Sequence, residues 1–301
     1  MPSKKRQLGL VLAGGGARGL AHIGALKVFE QNGIKFDFIA GSSMGALIGV
    51  FYAAGISPEE MEEAAITMSS RRHLLSLMDV DLPIHDPLRG MFTGKKVREF
   101  LSEHLGEVKD FNDLKIPAAV TAVDLVTAEE VVIDEGPLLD ALLATTAVPG
   151  VFKPVKRGDM ELVYGGILNN LPVDIPRKRG VDYVVAVDVA VKIYDPSTYQ
   201  ASKLPGIAYE VERMADIRTW MLVKRKMDAY PPDYLIHPTI PPSYNIFLGF
   251  REPEPIIEAG MKEAEESLAG LKKILARKKR GKRSRRRVVN RRRSAAKKRR
   301  K

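Results

Sequence analysis

The sequence predicts a single α/β domain built on a largely parallel sheet that helices cover on both faces. Short apolar runs typical of buried strands alternate with segments of helical periodicity from residue 7 to residue 278. The first run, QLGLVLA, ends in the glycine turn GGGARG and continues into a helical pattern, as a strand–turn–helix unit does. With 45% hydrophobic residues in a chain of 301, a core of this size can be buried.

The amino-terminal part of the pattern contains two strand–helix units and a capped third helix. The predicted units are a strand over 7–13, a helix over 20–33, a strand over 35–41 and a helix over 44–55. The third helix begins after Ser57 as N-cap, because Pro58 takes the first helical position and Glu60 completes a capping box.

Residues 38–58 carry no charge, which a hydropathy window flags as a membrane span. Small and polar residues interrupt the stretch early, so a buried strand, a tight turn and a buried helix are predicted there instead.

The alternation of strands and helices continues towards the carboxyl terminus. A helix is predicted over 93–106, and two strands that pair around a turn at Thr127 and Ala128 follow it. The remaining predicted elements are strands over 181–189 and 233–238 and helices over 204–228 and 252–279. Residues 70–92 have an irregular pattern, and together with the GMFTG segment they are a candidate lid.

Charge divides the chain into a domain and a tail. Residues 277–301 contain 17 Lys and Arg and no acid, which leaves 31 basic against 37 acidic residues, a net −6, within a total of +11. An α/β domain is predicted over residues 1–278, and residues 279–301 are predicted to be disordered because they have almost nothing apolar to bury. The tail over 277–301 is expected to attach to an anionic membrane surface. Nonspecific nucleic-acid binding is the alternative, although the tail lacks aromatic residues for base stacking.

Composition excludes several kinds of chemistry. The chain contains no cysteine, so no disulfide, thiolate metal site or cysteine nucleophile can form. The histidines have no metal-ligand spacing, and neither a metal nor a cofactor is predicted. His22 is expected to be a partly buried, hydrogen-bonded histidine, and Asp188 is expected to serve a structural hydrogen bond. The apolar stretch after MPSKKRQ is too short for a signal peptide, so a cytoplasmic location with peripheral membrane attachment is expected.

The strongest local motif is GSSMG, which fits GxSxG between a predicted strand and a predicted helix. Gly41 and Gly45 permit a sharp turn that exposes the Ser43 hydroxyl at the end of a strand and at a helix N-terminus. Ser43 is therefore the candidate nucleophile. The competing interpretation is that Ser43 is only an N-cap.

The glycine turn GGGARG has three interpretations. Its spacing matches the dinucleotide fingerprint GxGxxG, but the acid at the right distance, Asp37, enters the next strand instead of leaving it. A turn that serves only strand–helix packing is the second interpretation. The third is an oxyanion hole, in which backbone N–H groups face a tetrahedral intermediate and Arg18 adds positive potential. Because a serine turn follows 24 residues later, the oxyanion hole is favoured, with candidate residues Gly14, Gly15, Gly16, Arg18 and Gly19.

At this point the chain resembles the patatin-like phospholipases, in particular the short single-domain bacterial type. The resemblance rests on six collinear segments over residues 7–240, namely LVLAGGGARGLAHIGAL, FDFIAGSSMGALIGVFYAAG, GMFTGKKVREFL, IPAAVTAVDLVTAEEVVI, ATTAVPGVFKPV and LVYGGILNNLPVD. It implies a three-layer α/β/α sandwich with a mainly parallel central sheet. It also implies acyl-ester hydrolysis by a Ser–Asp dyad without histidine, with Ser43 as the nucleophile and residues 14–19 as the oxyanion loop.

Tyr164 departs from this family pattern. The dyad aspartate opens a DGG or DGA motif, and the matching residues here are Tyr164, Gly165 and Gly166. A phenol with a reference pKa near 10 is protonated at neutral pH and is a poor proton acceptor for a serine hydroxyl. Strongly reduced turnover is therefore predicted, unless a nearby carboxylate replaces the missing base. The candidates for such a rescue are Asp124, Asp159 and Glu161.

Two hypotheses about function follow. The first is a serine hydrolase of lipid or simple acyl esters whose activity the loss of the dyad acid impairs. The second is a noncatalytic member of the family that binds lipid or a membrane, with the basic tail as its anchor.

Overall fold

The computed structural model describes residues 6–70, 94–190, 206–241, 244 and 248–276. The chain divides into two compact units, Met1–Leu268 and Ala269–Lys301. The first unit contains the sheet, and the described part of the second is the last part of one helix, residues 269–276. The predicted lid over 70–92 lies almost entirely outside the described residues, and so does the basic tail. The predicted domain boundary after residue 278 stays a prediction.

Eight strands and eight α-helices make up the described part of the chain. The strands are β1 (Leu8–Leu12), β2 (Phe38–Gly41), β3 (Ala118–Asp124), β4 (Glu130–Ile133), β5 (Val155–Arg157), β6 (Met160–Tyr164), β7 (Tyr183–Val187) and β8 (Tyr234–Ile236). The helices are α1 (Ala21–Gln31), α2 (Ser43–Ala54), α3 (Pro58–Met68), α4 (Lys95–Leu105), α5 (Leu138–Thr146), α6 (Asp174–Lys178), α7 (Gly206–Ala229) and α8 (Pro253–Ala276). Short 3-10 helices lie at Gly16–Leu20, Phe111–Asp113, Gly165–Ile167 and Leu248–Arg251.

A single mixed sheet forms the centre of the first unit. Hydrogen-bonded neighbours follow the order β5-β6-β3-β2-β1-β7-β8, and β4 pairs with β3 beside this series. The pairs β3–β2, β2–β1, β1–β7 and β7–β8 are parallel, whereas β3–β4, β3–β6 and β5–β6 are antiparallel. The central strands are mostly apolar, and β1, β2 and β3 are buried at every position, including Thr121 and Asp124 of β3. This is expected of parallel strands with helices on both faces.

Strand β3 brings two other strands end to end. Val120 pairs with both Gly41 of β2 and a residue of β4, so β2 and β4 lie on opposite edges of β3. Ala122 pairs with both Tyr164 of β6 and a residue of β4, so β6 lies on the same edge as β2. Because β2 is parallel to β3 and β6 is antiparallel, the two strands run towards each other and end two positions apart, about 7 Å along β3.

The helices pack around this sheet. Helices α2 and α5 contact each other and β3. Helix α8 approaches α1 so closely that a Cβ at Gly24 would overlap the Ile257 backbone, and one at Gly260 would overlap the Ala21 backbone. No helix among the described residues is long and apolar enough to cross a membrane.

The structure confirms the predicted fold class: an α/β protein with a mostly parallel central sheet and helices around it. The uncharged stretch 38–58 is a strand, a turn and a helix, as predicted, and the capping box of α3 between Ser57 and Glu60 is present. The hairpin β5–β6 and the helices α5 and α6 were not predicted from the sequence.

Candidate active site

The turn between β2 and α2 holds Ser43 in a strained backbone conformation. Its φ angle is +52°, in the left-handed region that residues other than glycine seldom adopt. The flanking glycines have no room for a side chain: a Cβ at Gly41 would lie 2.6 Å from the Ala46 backbone, and one at Gly45 would lie 2.5 Å from the Ala13 carbonyl oxygen. Because the turn packs closely against the backbone at the end of β1, only glycine fits at position 45. A sharp turn of this kind, between a strand and a helix, is the geometry that a nucleophile elbow requires.

Ser43 is buried, and its backbone is held by a hydrogen bond. Its backbone N–H donates to Thr145 Oγ1 at 2.9 Å, at the end of α5. Its side chain lies beside the phenol of Tyr164, because a Cβ at Gly14 would be 3.1 Å from both Ser43 Cβ and the Tyr164 hydroxyl. The meeting of β2 and β6 on one edge of β3 is what brings Tyr164, at the end of β6, to the serine that follows β2.

A chain of hydrogen bonds continues beyond Tyr164. The phenol hydroxyl donates to Asn170 Oδ1 at 3.1 Å, and Asn170 Nδ2 donates to the Gly14 carbonyl at 2.9 Å. A phenol has a single proton, and an amide oxygen can only accept. Since the phenol donates this proton to Asn170, its oxygen is left only as an acceptor towards Ser43.

The phenol of Tyr164 is a very weak acid in this position. Burial raises its pKa to about 12, and the positive charge of Arg18 only partly opposes the effect. At neutral pH Tyr164 is therefore protonated, and its oxygen can accept a hydrogen bond but not hold a proton from Ser43.

The glycine loop lies directly against Ser43. A Cβ at Gly14 would be 3.1 Å from Ser43 Cβ and 3.1 Å from the Tyr164 hydroxyl. The Gly14 N–H already donates to the Asn170 carbonyl at 3.0 Å. No acceptor within the described residues takes the N–H of Gly15 or Gly16, and Gly16 has a positive φ of 54° that suits glycine.

Arg18 is buried beside this loop with incomplete pairing. It is only 8% exposed, and its Nε has no hydrogen-bond partner among the described residues. Its Nη2 lies 3.9 Å from Asp216 Oδ1 on α7, beyond hydrogen-bond distance. Burial raises the pKa of Asp216, and the charges of Arg18 and Arg213 oppose this.

The structure places the candidate rescue acids along β3 and β6. Glu161 lies on β6 three residues before Tyr164, so its side chain lies on the opposite face of the sheet from Tyr164. The Asp124 carboxylate accepts hydrogen bonds from Thr127, from the Val126 N–H and from the Glu161 N–H, so it is engaged at the far end of β3. Burial alone would raise the pKa of Asp124, but these hydrogen bonds lower it. Asp159 lies in the β5–β6 turn, five residues before Tyr164, or roughly 17 Å along an extended chain.

Asp37 lies at the opposite end of the sheet from the glycine loop. Its carboxylate accepts the Leu8 N–H at 2.9 Å, at the start of β1, whereas Gly14 follows the end of β1. The ribose-binding acid that a dinucleotide site requires is therefore not beside this loop.

His22 and Asp188 lie near the start of the glycine loop, next to Ala13. His22 is fully buried, whereas partial burial was predicted, and its Nε2 lies 2.8 Å from the Ala13 carbonyl oxygen, which confirms the predicted hydrogen bond. Asp188 Oδ1 accepts the Ala190 N–H at 3.0 Å, and its Oδ2 lies 3.6 Å from His237 Nδ1. Within the described ranges no group of three or more His, Asp or Glu side chains could hold a metal ion.

The sequence did not identify three of the residues around Ser43. Thr145 and Asn170 lie in ATTAVPG and LNNLP, two segments that carried the family resemblance, but no spacing rule assigned them a contact. Asp216 lies in the middle of a helix with no recognisable motif. Only the packing of α7 brings it to Arg18.

The fold and the turn at Ser43 define an α/β protein with a strained serine turn between a parallel strand and a helix. Comparison with known proteins is consistent with this class. The family model described as patatin-like phospholipase matches residues 10–177, which is more than half of the chain. The chain therefore belongs to the patatin-like phospholipase family.

Curated relatives are similar over the same part of the chain. Patatin-like phospholipase domain-containing protein 6 of Mus musculus is 34% identical over 199 residues, which cover 64% of this chain and 14% of that protein. Neuropathy target esterase sws of Drosophila melanogaster is 32% identical, over 60% of this chain and 13% of that protein. An uncharacterized NTE family protein of Mycobacterium bovis is 31% identical, over 61% of this chain and 30% of that protein. The chain thus spans about a seventh to a third of the length of these relatives.

Solved structures are more distant. VipD from Legionella pneumophila aligns with a TM-score of 0.47 at 14% identity, over 88% of this chain and 67% of that one. The type III effector protein ExoU aligns with a TM-score of 0.47 at 13% identity, over 91% of this chain and 54% of that one.

Proposed function

We propose that this protein is a serine hydrolase of lipid or simple acyl esters, with Ser43 as its nucleophile. The observation that carries the proposal is the strained turn at Ser43, which places the serine beside Tyr164 and the glycine loop. Membership of the patatin-like phospholipase family supports lipid hydrolysis in general. The relatives' names, a phospholipase domain and an esterase, support the same class of reaction.

The glycine loop is the proposed oxyanion hole. The donors are the N–H groups of Gly15 and Gly16, which have no acceptor within the described residues. Gly14 and Gly19 let the backbone approach Ser43 and Met44, because a Cβ at either position would crowd those side chains. Arg18 supplies positive potential from a buried position, where charges act more strongly than in water.

In the proposed reaction Ser43 Oγ attacks the ester carbonyl carbon, and the carbonyl oxygen becomes an oxyanion held by the loop. Loss of the alcohol leaves an acyl-serine, which water then hydrolyses. The Ser43 proton must leave during the attack, and the neighbouring phenol of Tyr164 already holds its own proton. The Ser43 proton therefore passes to water, and the departing alkoxide takes up a proton from water to leave as the alcohol. Turnover is therefore slow. In a worked hydrolase triad, loss of one member leaves roughly 10³ to 10⁴ over the reaction in water.

A noncatalytic lipid-binding role is the second candidate. It is favoured by the pKa of about 12 at Tyr164, which makes the phenol too weak a base. It is also favoured by the hydrogen bonds that hold the Asp124 carboxylate in the turn after β3. In this case the site around Ser43 binds an acyl ester without turning it over.

Hydrolysis of a p-nitrophenyl short-chain ester by the purified chain separates the two roles. The parent would be compared with Ser43→Ala and Tyr164→Asp, and Ser42→Ala serves as a matched control because it removes a buried neighbouring hydroxyl. We expect weak turnover that Ser43→Ala abolishes and Tyr164→Asp raises by a factor of ten or more, since a carboxylate accepts the serine proton.

Turnover that persists in Ser43→Ala would refute Ser43 as the nucleophile. If neither the parent nor Tyr164→Asp turns the ester over while the parent still binds it, the noncatalytic role is correct.

A further inference from the structure

The outer face of α7 carries an exposed apolar stripe. Met214, Ile217 and Met221 are 70%, 40% and 43% exposed. Their spacing of three and four residues places them on one face of the helix. Three large apolar side chains in one row on an exposed helix face differ from the scattered apolar residues that a protein surface normally has.

Cationic side chains flank this stripe. Arg218 and Arg225 are exposed and follow Met214 and Met221 by one helical turn, so they lie beside the stripe. The lysines of this part of the helix are paired, because Lys224 contacts Asp228 and Lys226 contacts Glu130 and Asp174. The outer face therefore combines apolar contact with positive charge, which is the pattern of helices that lie in a membrane interface.

The inner face of the same helix points towards the candidate active site. Val223 lies on the same face as Asp216, two helical turns further along, and is buried. On this face Asp216 Oδ1 lies 3.9 Å from Arg18 Nη2. The charges of Arg18, Asp216 and Arg218 all act on the Tyr164 phenol beside Ser43. A surface that docks on the outer face of α7 is thus only one helix away from the serine.

We propose that the stripe Met214–Ile217–Met221 docks on a phospholipid bilayer with anionic headgroups. The three apolar side chains enter the boundary between headgroups and acyl chains, while Arg218 and Arg225 bind headgroup phosphates. The choice of a bilayer over a second copy or a protein partner rests on the charge beside the stripe and on the proposed function, which places a lipid hydrolase site under the helix. This surface is distinct from the basic tail, which carries no large aromatic or methionine side chain to insert.

The chain contains a single tryptophan, and it lies on α7 next to the stripe, at Trp220. Its fluorescence therefore reports on this helix, whereas binding through the tail alone leaves it unchanged. The test titrates the full chain with vesicles of phosphatidylcholine and phosphatidylglycerol, with and without bromine on the acyl chains. We expect brominated vesicles to quench Trp220.

Two triple variants with similar exposed apolar residues make the test specific. The first replaces Met214, Ile217 and Met221 by Gln. The control replaces Ile66, Leu125 and Val126 by Gln, which are 40%, 51% and 67% exposed and lie on other elements. We expect the first to lower the apparent vesicle affinity by roughly tenfold or more and to abolish quenching, and the control to keep both. The double variant Arg218→Gln, Arg225→Gln should weaken binding to anionic vesicles and flatten its salt dependence.

Vesicle binding without quenching of Trp220 assigns membrane attachment to the tail and overturns the proposal. An equal loss of vesicle affinity in both triple variants also overturns it. A dimer that the first triple variant alone dissociates identifies a second copy as the occupant and also overturns it. Ester turnover measured on the same samples keeps the two proposals apart. Quenching without turnover supports docking of α7 on the bilayer and contradicts the proposed hydrolase activity. Turnover without quenching supports the hydrolase activity and contradicts docking.

Discussion

At the scale of single residues, Tyr164 is the side chain beside Ser43 that determines whether the serine proton has an acceptor. Its hydroxyl lies next to the serine and donates a hydrogen bond to Asn170 Oδ1. Because Asn170 Nδ2 also donates to the Gly14 carbonyl, the same side chain positions both the phenol and the glycine loop. The pKa of this phenol, about 12, is far too high for a base at neutral pH.

His22 should make the stability of the protein depend on pH. Burial lowers its pKa to about 4, and the hydrogen bond with the Ala13 carbonyl and the charge of Asp188 oppose this only in part. Between pH 6.5 and 4 the unfolded chain binds a proton at this histidine and the folded chain does not, so stability falls as the pH falls. We expect this group to make the protein about 2 kcal/mol less stable at pH 5 than at pH 7.

Urea unfolding at the two pH values measures this effect in the parent and in His22→Gln, whose amide can still donate to Ala13. The variant should lose most of the difference between pH 5 and pH 7. His104→Gln serves as the control, because His104 is half-buried on α4. An unchanged pH dependence in His22→Gln would show that His22 is not the group responsible.

The turn from β2 into α2 is the feature that matters most at the scale of elements. Gly45 and Gly49 lie on the same helix but have different surroundings. A Cβ at Gly45 would meet the backbone of β1, 2.5 Å from the Ala13 carbonyl oxygen, which cannot move without disturbing the sheet. A Cβ at Gly49 would lie 2.9 Å from the Ile39 side chain, which can adjust.

Gly45→Ala should therefore destabilise the protein by about 2–3 kcal/mol through overpacking. Gly49→Ala should stay within about 1 kcal/mol of the parent, because the gain in helix propensity offsets a small clash. Urea unfolding of the two variants side by side checks this. Equal losses would mean that the elbow is no more tightly packed than the rest of α2.

Lys226 links distant parts of the chain at the scale of the whole molecule. From α7 it donates to Glu130 on β4 at 2.9 Å and to Asp174 on α6 at 3.0 Å. Asn169, next to the residue that holds Tyr164, donates to the same two carboxylates. Burial alone would raise the pKa of Asp174, but the hydrogen bonds from two lysines and Asn169 lower it.

Lys226→Met should therefore cost about 1–3 kcal/mol of unfolding free energy at pH 7, because it leaves the buried Asp174 carboxylate with fewer donors. Since the folded pKa of Asp174 is lowered, this stabilisation is present above about pH 4 and is lost as the pH falls further. The matched control is Lys224→Met, two residues away, whose exposed pair with Asp228 contributes less than about 1 kcal/mol. Unfolding curves of both variants at pH 7 and pH 3.5 measure the difference. A loss that does not shrink at low pH would contradict the role of Asp174.

Much of the fold follows from local patterns in the sequence. The strand–turn–helix units at residues 7–33 and 35–55, the capping box at Ser57 and the long helix near 204–228 were predicted because apolar period and cap residues are local properties. The hairpin β5–β6 was not, since its strands are short and only partly buried, and their alternation is weak. In the same way, α5 is nine residues long and has no cap side chain to mark its start.

The sequence by itself determined the family, the α/β class and the positions of Ser43, the glycine loop and Tyr164, because each is carried by consecutive residues. Only the tertiary structure decided that Tyr164 reaches Ser43, that Asn170 and Thr145 hold the two sides of the site, and that Asp216 faces Arg18. These contacts join residues far apart in the chain. They depend on β2 and β6 meeting on one edge of β3, and on the packing of α7, which no local pattern of residues specifies.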